Sequence, residues 1–122
     1  MSTARPSETQ EWVASRVESW VETYKKAMLT PVILRLVAIH QPATVAEVAG
    51  HVTSTTGWQI TERGLYRTLK RLQDSGLLTS DDVDAPRTGA KRKELSLTTL
   101  GSQFLSGINA NLIDLAGTAS HQ

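Results

Sequence analysis

Apolar residues first recur with helical spacing between Glu11 and Met28. Trp12, Val13, Val17, Trp20, Val21 and Tyr24 fall three or four apart and gather on one face, with Glu11, Glu18, Glu22, Lys25 and Lys26 mostly outside it. Residues 1–10, with Pro6 and small polar residues, read as a disordered tail ahead of this 11–28 helix. Thr30-Pro31 predicts a restart, with threonine as N-cap and proline at the first helical position. The following run Val32, Ile33, Leu34, Leu36, Val37 and Ile39 is apolar nearly all round and predicts a central, buried helix ended by His40-Gln41-Pro42.

Thr44-Val45-Ala46-Glu47 has capping-box spacing, and Val45, Val48, Ala49 and Val52 line one face of the short helix it opens. Ser54 to Gly57 reads as a turn. Thr61 then caps a helix to about Ser75 whose inward face is Leu65, Leu69 and Leu72. Gly76 stops it at the position where a left-handed backbone is needed. Beyond Gly76 the helical period gives way. Leu77-Leu78-Thr79 predicts a short strand, Asp81 to Arg92 a polar loop, and the alternating Glu94-Leu95-Ser96-Leu97 a second strand. Thr98 caps a last helix, 98–117, with Leu100, Phe104, Ile108, Leu112 and Leu115 on a stripe close to coiled-coil spacing. The predicted fold is mainly α with a small β-hairpin. It is a winged helix-turn-helix over 30–98, with additional N- and C-terminal helices at 11–28 and 98–117.

Composition changes this picture little. The chain has 122 residues, 39% hydrophobic and 20% charged, as expected of one globular domain. No apolar stretch approaches a membrane span, Met1 to Trp12 has no apolar leader core, and a cytoplasmic location is expected. Cysteine is absent, which excludes disulfides and thiolate chemistry. His40, His51 and His121 lack metal-ligand spacing, and no nucleophile motif or carboxylate pair suggests an enzyme, so neither metal nor cofactor is expected.

Charge distribution says more than the formal net charge of +1. Residues 1–60 balance five Lys/Arg against five Asp/Glu, whereas residues 61–93 hold eight against five. With Leu65, Leu69 and Leu72 turned inward, Arg63, Tyr66, Arg67 and Lys70 share the opposite face of the 61–75 helix. Three cations and an aromatic on one exposed stripe suit a helix in the major groove of double-stranded DNA, where Arg binds guanine edges and Lys or Tyr anchors on phosphate. Arg87, Lys91, Arg92 and Lys93 form a second basic group at the hairpin, placed to reach flanking phosphates or the minor groove. Asp81, Asp82 and Asp84 would repel phosphate and are expected to face away.

The run from Gly64 to Leu78, with its Leu65-Tyr66 pair, Leu69-x-x-Leu72 step and Gly76-Leu77-Leu78 end, resembles the recognition helix of PadR-like repressors. Arg92 to Gly101, with Leu97-Thr98-x-x-Gly101, resembles that family's second wing strand and its entry to the last helix. The sequence departs from the family pattern where a Gly-Tyr pair would open the second helix (Thr44-Val45-Ala46 here) and where Leu95 replaces a wing tyrosine. The resemblance implies a homodimer, assembled partly through terminal helices, that represses a nearby gene. Trp12, Val17, Trp20, Tyr24, Phe104, Ile108, Leu112 and Leu115 are the dimerisation candidates. Trp12 and Trp20 also have the type and spacing to line a pocket for a small aromatic effector, although dimer packing is the plainer reading. Two other readings stay open: a DNA segregation adaptor that coats repeated sites, and a winged-helix module that binds protein.

Overall fold

The structure, a computed structural model, describes residues 7–84, 89–113 and 115. Its elements are α1 (Glu8–His40), β1 (Ala43–Thr44), α2 (Val45–Thr56), α3 (Glu62–Asp74), β2 (Leu78–Asp84), β3 (Lys91–Leu97) and α4 (Thr99–Asn109). This mainly helical architecture with one small sheet agrees with the expected winged helix. By packing, the chain divides after Thr30 into two units.

In the first unit the helix begins at Glu8, so residues 8–10, expected in the tail, are helical. The cause is a second capping box, at Ser7 and Gln10. Ser7 Oγ accepts from the Gln10 amide at 3.1 Å, and Gln10 Oε1 accepts from the Ser7 amide at 3.0 Å. Every described residue up to Trp20 is exposed. The Trp20 and Tyr24 rings stack at 5.5 Å, and the Arg16 guanidinium lies 5.1 Å over the Trp12 ring.

The expected break at Thr30-Pro31 does not occur, because Thr30 is itself helical and Pro31 lies inside α1. Proline's fixed φ is compatible with a helix; what it removes is one amide donor, a local cost that packing of the neighbouring turns can offset. Those turns are well packed in the second unit. Ile33, Leu34, Leu36 and Val37 are buried with Val48 and Val52 of α2, Leu65, Leu69 and Leu72 of α3, and Leu78, Leu95 and Leu105. Ile39, expected in this core, is 59% exposed.

Three caps form where the sequence places them: Thr44 on α2, Thr61 on α3 and Thr98 on α4. Helix α2 runs one turn further than expected, through Ser54 to Thr56, and ends on Gly57 at φ 75°. Gly76, at φ 80°, turns the chain out of α3. The sheet has three strands in the order β1-β3-β2, all antiparallel. The two-residue β1 was not foreseen, being too short for a period-two pattern, and pairs Ala43 with Leu95. Gln41 Oε1 extends this edge by accepting from the Leu97 amide at 2.8 Å.

Helix α4 ends at Asn109, and residues 114, 116 and 117 of the expected 98–117 helix lie outside the described residues. Gly107 favours no helix, and Asn111 turns back to donate from Nδ2 to the Gly107 carbonyl at 2.8 Å. Leu112 and Leu115 therefore lie beyond α4 rather than on its stripe.

The α2 capping box carries a pH dependence. The Thr44 amide donates to Glu47 Oε1 at 2.8 Å, and this bond, followed by that from the Thr44 side chain, holds the Glu47 carboxyl below its ordinary 4.5. A depressed carboxyl stabilises the fold above its unfolded value and loses that contribution as pH falls through the folded one. Glu47→Ala is therefore expected to lower the thermal midpoint at pH 7, with the gap from wild type narrowing below pH 4.5, as paired melts would show.

Candidate nucleic-acid interface

Helix α3 is anchored from its first turn, where Thr61 Oγ1 accepts from the Gly64 amide at 3.0 Å. One turn on, the Thr68 hydroxyl donates to the Gly64 carbonyl at 3.0 Å, which lets a polar residue sit in the buried face with Leu65, Leu69 and Leu72. The opposite face is the expected one: Arg63, Tyr66, Arg67 and Lys70 are all exposed. The helix holds four Lys/Arg and two acids, a formal +2. Lys70 is tied to Asp74 at 3.4 Å, whereas Arg63 and Arg67 make no ion pair among the described residues.

The hairpin differs from expectation. Its strands are longer than the alternation suggested, so Asp81, Asp82 and Asp84 lie on β2 and Lys91, Arg92 and Lys93 on β3 rather than in a loop. Arg87 lies outside the described residues. The aspartates do not all face away from the cations. The register sets Asp82 opposite Lys93 and Asp84 opposite Lys91, and directly opposed residues share a face of a sheet. Lys91 Nζ reaches Asp84 at 3.6 Å, and Arg92 reaches Glu94 at 3.4 Å on the other face. The ladder sets Asp82 and Asp84 opposite lysines but Asp81 opposite Glu94, a pattern that a reading of one strand at a time does not see.

Two adjoining grooves bring these parts together. The first lies between α3 and β3 and is lined by Tyr66, Arg67, Lys70 and Lys93 among others. The second runs from Tyr66 past Thr44, Val45 and Ala46 at the start of α2 to Lys91, Arg92 and Lys93. Tyr66 and Lys93 border both, while Arg63 borders neither. The start of α2 was missing from the sequence-based site; its capping box was the available signal, since it fixes where the helix begins beside the wing. Ser80 Oγ donates to Gln73 Oε1 at 2.9 Å and ties β2 to α3, which holds the wing against the helix.

The apolar candidates are mostly uncovered. Trp12, Val17, Trp20 and Tyr24 are exposed in the first unit. In the second, Phe104, Leu112 and Leu115 are exposed and Ile108 is half-buried, with Phe104, Ile108 and Leu112 lining a shallow groove. His40 and His51 stack at 3.7 Å, a contact the sequence did not suggest. Among the described residues no group of three potential metal ligands occurs, and no helix is long and apolar enough to cross a membrane. His121 lies outside the described residues.

Comparison with solved structures finds the same fold repeatedly. A PadR-like transcription factor from Bacteroides fragilis is 27% identical, with a TM-score of 0.65 over 84% of this chain and 97% of that one. A PadR-like transcriptional regulator from Bacillus cereus is 19% identical, with a TM-score of 0.69 over 81% and 94%. PadR of Bacillus subtilis, solved in complex with operator DNA, is 22% identical, with a TM-score of 0.62 over 71% of this chain and half of that one. No curated protein matches the sequence significantly. The model of the transcriptional regulator PadR-like family matches residues 33–107, which span α3, the wing and most of α4. By that match over more than half its length, the chain belongs to the PadR-like family of transcriptional regulators.

Proposed function

We propose that the protein is a homodimeric, cytoplasmic repressor that binds specific double-stranded DNA sites with α3 in the major groove. The exposed stripe of Arg63, Tyr66, Arg67 and Lys70 on a net-positive helix carries this reading. Arg63 and Arg67, free of ion pairs among the described residues, are assigned to base edges, and Tyr66, Lys70, Lys91, Arg92 and Lys93 to the backbone. Operator DNA bound to the Bacillus subtilis neighbour supports the same chemistry here.

The dimer rests on apolar surface that a single copy leaves in water. Trp12 at 59%, Trp20 at 64% and Phe104 at 45% exposure are large side chains, and a symmetric partner would cover them. The same tryptophans would meet a flat aromatic effector if the dimer leaves a gap between them.

Light scattering at micromolar concentration is expected to give twice the 13.3 kDa chain mass. Selection from random duplexes should return a pseudo-palindrome with half-sites about 10–21 bp apart. A monomer, or only asymmetric single sites, would refute the dimeric docking. Cooperative spreading from the selected site in footprints would favour the segregation adaptor instead.

A further inference from the structure

Pairing of the wing strands sets some of their cations directly opposite carboxylates. Strands β2 and β3 together carry three cations, Lys91, Arg92 and Lys93, against four carboxylates, Asp81, Asp82, Asp84 and Glu94, a formal −1. Helix α3 beside them carries +2. Of these elements, the helix carries the net positive charge. The carboxylates are also not spread at random. Along one face of the hairpin the register alternates Asp82 with Lys93 and Asp84 with Lys91. That face continues Leu95 and Leu97 of β3 and Ser80 of β2, so it is the face turned toward α3. Lys93 lines the groove shared with Tyr66, Arg67 and Lys70. The Asp82 and Asp84 carboxylates thus stand on the side from which DNA would approach.

We infer that Asp82 and Asp84 are affinity-setting residues: they act as built-in counter-ions to Lys93 and Lys91 and hold down the wing's sequence-independent grip on phosphate. The inference rests on the DNA-binding reading above. A lysine that approaches phosphate without an internal partner releases a condensed cation from DNA, and each such release steepens the dependence of log affinity on log salt by about 0.9. A lysine already matched to an aspartate must give up that pair and bring a carboxylate toward the backbone. Asp82 stands opposite Lys93 in the ladder with no ion pair within 4.0 Å among the described residues, whereas the Lys91–Asp84 pair is an exposed 3.6 Å contact, 69% and 73% accessible at the two side chains. Such a pair is weak enough to be overcome when α3 is seated, yet it still lowers the net gain. The wing then contributes less than its cation count suggests, and the recognition helix decides where the protein stays.

The test is a charge cycle in the full chain. Asp82→Asn and Asp84→Asn keep side-chain size and remove charge; Lys91→Ala and Lys93→Ala remove the partners. Affinity for a scrambled duplex is titrated against salt for wild type, the double-Asn variant, the double-Ala variant and the quadruple variant, with thermal melts checking the fold. The double-Asn variant is expected to bind scrambled DNA about tenfold tighter near 0.1 M salt, with a slope steeper by about 2. That gain should vanish in the quadruple variant. The double-Ala change should cost far less in the wild-type background than in the double-Asn one. If wild type binds DNA but the Asn changes move neither affinity nor slope, the counter-ion role is wrong. A gain that survives intact in the quadruple variant also overturns it, since plain repulsion would then suffice. A wild-type chain with no salt-dependent affinity for any duplex would remove the DNA-binding reading itself, and this inference with it.

Discussion

Gly101→Ala is expected to destabilise the protein by about 3 kcal/mol, the larger end of what overpacking costs. Helix propensity alone predicts the opposite sign, because Ala in place of a helical Gly gains up to about 1 kcal/mol. The local geometry decides. Gly101 is buried in the first turn of α4, and a methyl group there would press on the Leu77 carbonyl oxygen and come 2.8 Å from the Leu97 Cδ1 methyl. The Leu97 methyl can rotate aside, but the Leu77 backbone carbonyl cannot move cheaply. The Leu77 carbonyl accepts from the Thr98 amide at 3.2 Å and shares the Thr98 hydroxyl, at 3.1 Å, with the Gly76 carbonyl at 2.7 Å, while Thr98 Oγ1 accepts from the Gly101 amide at 2.9 Å. One cluster thus joins the α4 cap to the start of β2, and a methyl group would wedge it open. Gly50 provides the control: it lies in α2, exposed, with nothing within 4 Å of where a methyl group would stand. Gly50→Ala should stabilise by up to about 1 kcal/mol. Denaturant unfolding of the two variants tests sign as well as size; if both stabilise, the close packing at Gly101 is not present in solution.

That contrast also marks what a sequence can show. Threonines at 44, 61 and 98 announce three helix starts because N-capping is local, a matter of one side chain and amides two or three residues on. The α3 stripe was legible for the same reason: once Leu65, Leu69 and Leu72 turn inward, the helical period dictates where Arg63, Tyr66, Arg67 and Lys70 point. Features that depend on residues far apart were not legible. Strand β1 exists because Ala43 meets Leu95, and the charge ladder of the wing exists because Asp84 meets Lys91. The outer parts of β2 and β3, taken alone, read as polar loop, since exposed charges at consecutive positions hide the period of two. Pro31 misleads in the other direction. It is a helix starter by statistics, but here the turns around it continue as one helix, with Ile33, Leu34 and Val37 fully buried just beyond.

Arg63→Ala and Arg67→Ala are expected each to weaken operator binding by about 1–3 kcal/mol, roughly 5- to 150-fold, and together to abolish discrimination from scrambled DNA. The two arginines lie one turn apart on the exposed face of α3, and neither forms an ion pair among the described residues, so both guanidinium groups are available to base edges. Their surroundings differ. Arg63 is in the first turn, the part of a recognition helix that meets bases, and borders neither wing groove. Its loss should relax base choice at one operator position while leaving the salt slope nearly unchanged. Arg67 borders the groove that holds Lys93, so its loss should cost both selectivity and slope. Lys70 is the internal comparison. It shares the stripe but is paired with Asp74 at 3.4 Å, so Lys70→Ala should weaken operator and scrambled DNA alike, and only modestly. Selection from random duplexes with each variant, followed by salt titration on the winning site, separates these outcomes. If all three variants select the wild-type site with wild-type affinity, α3 does not face DNA, and the winged-helix protein-binding module becomes the better account of this chain.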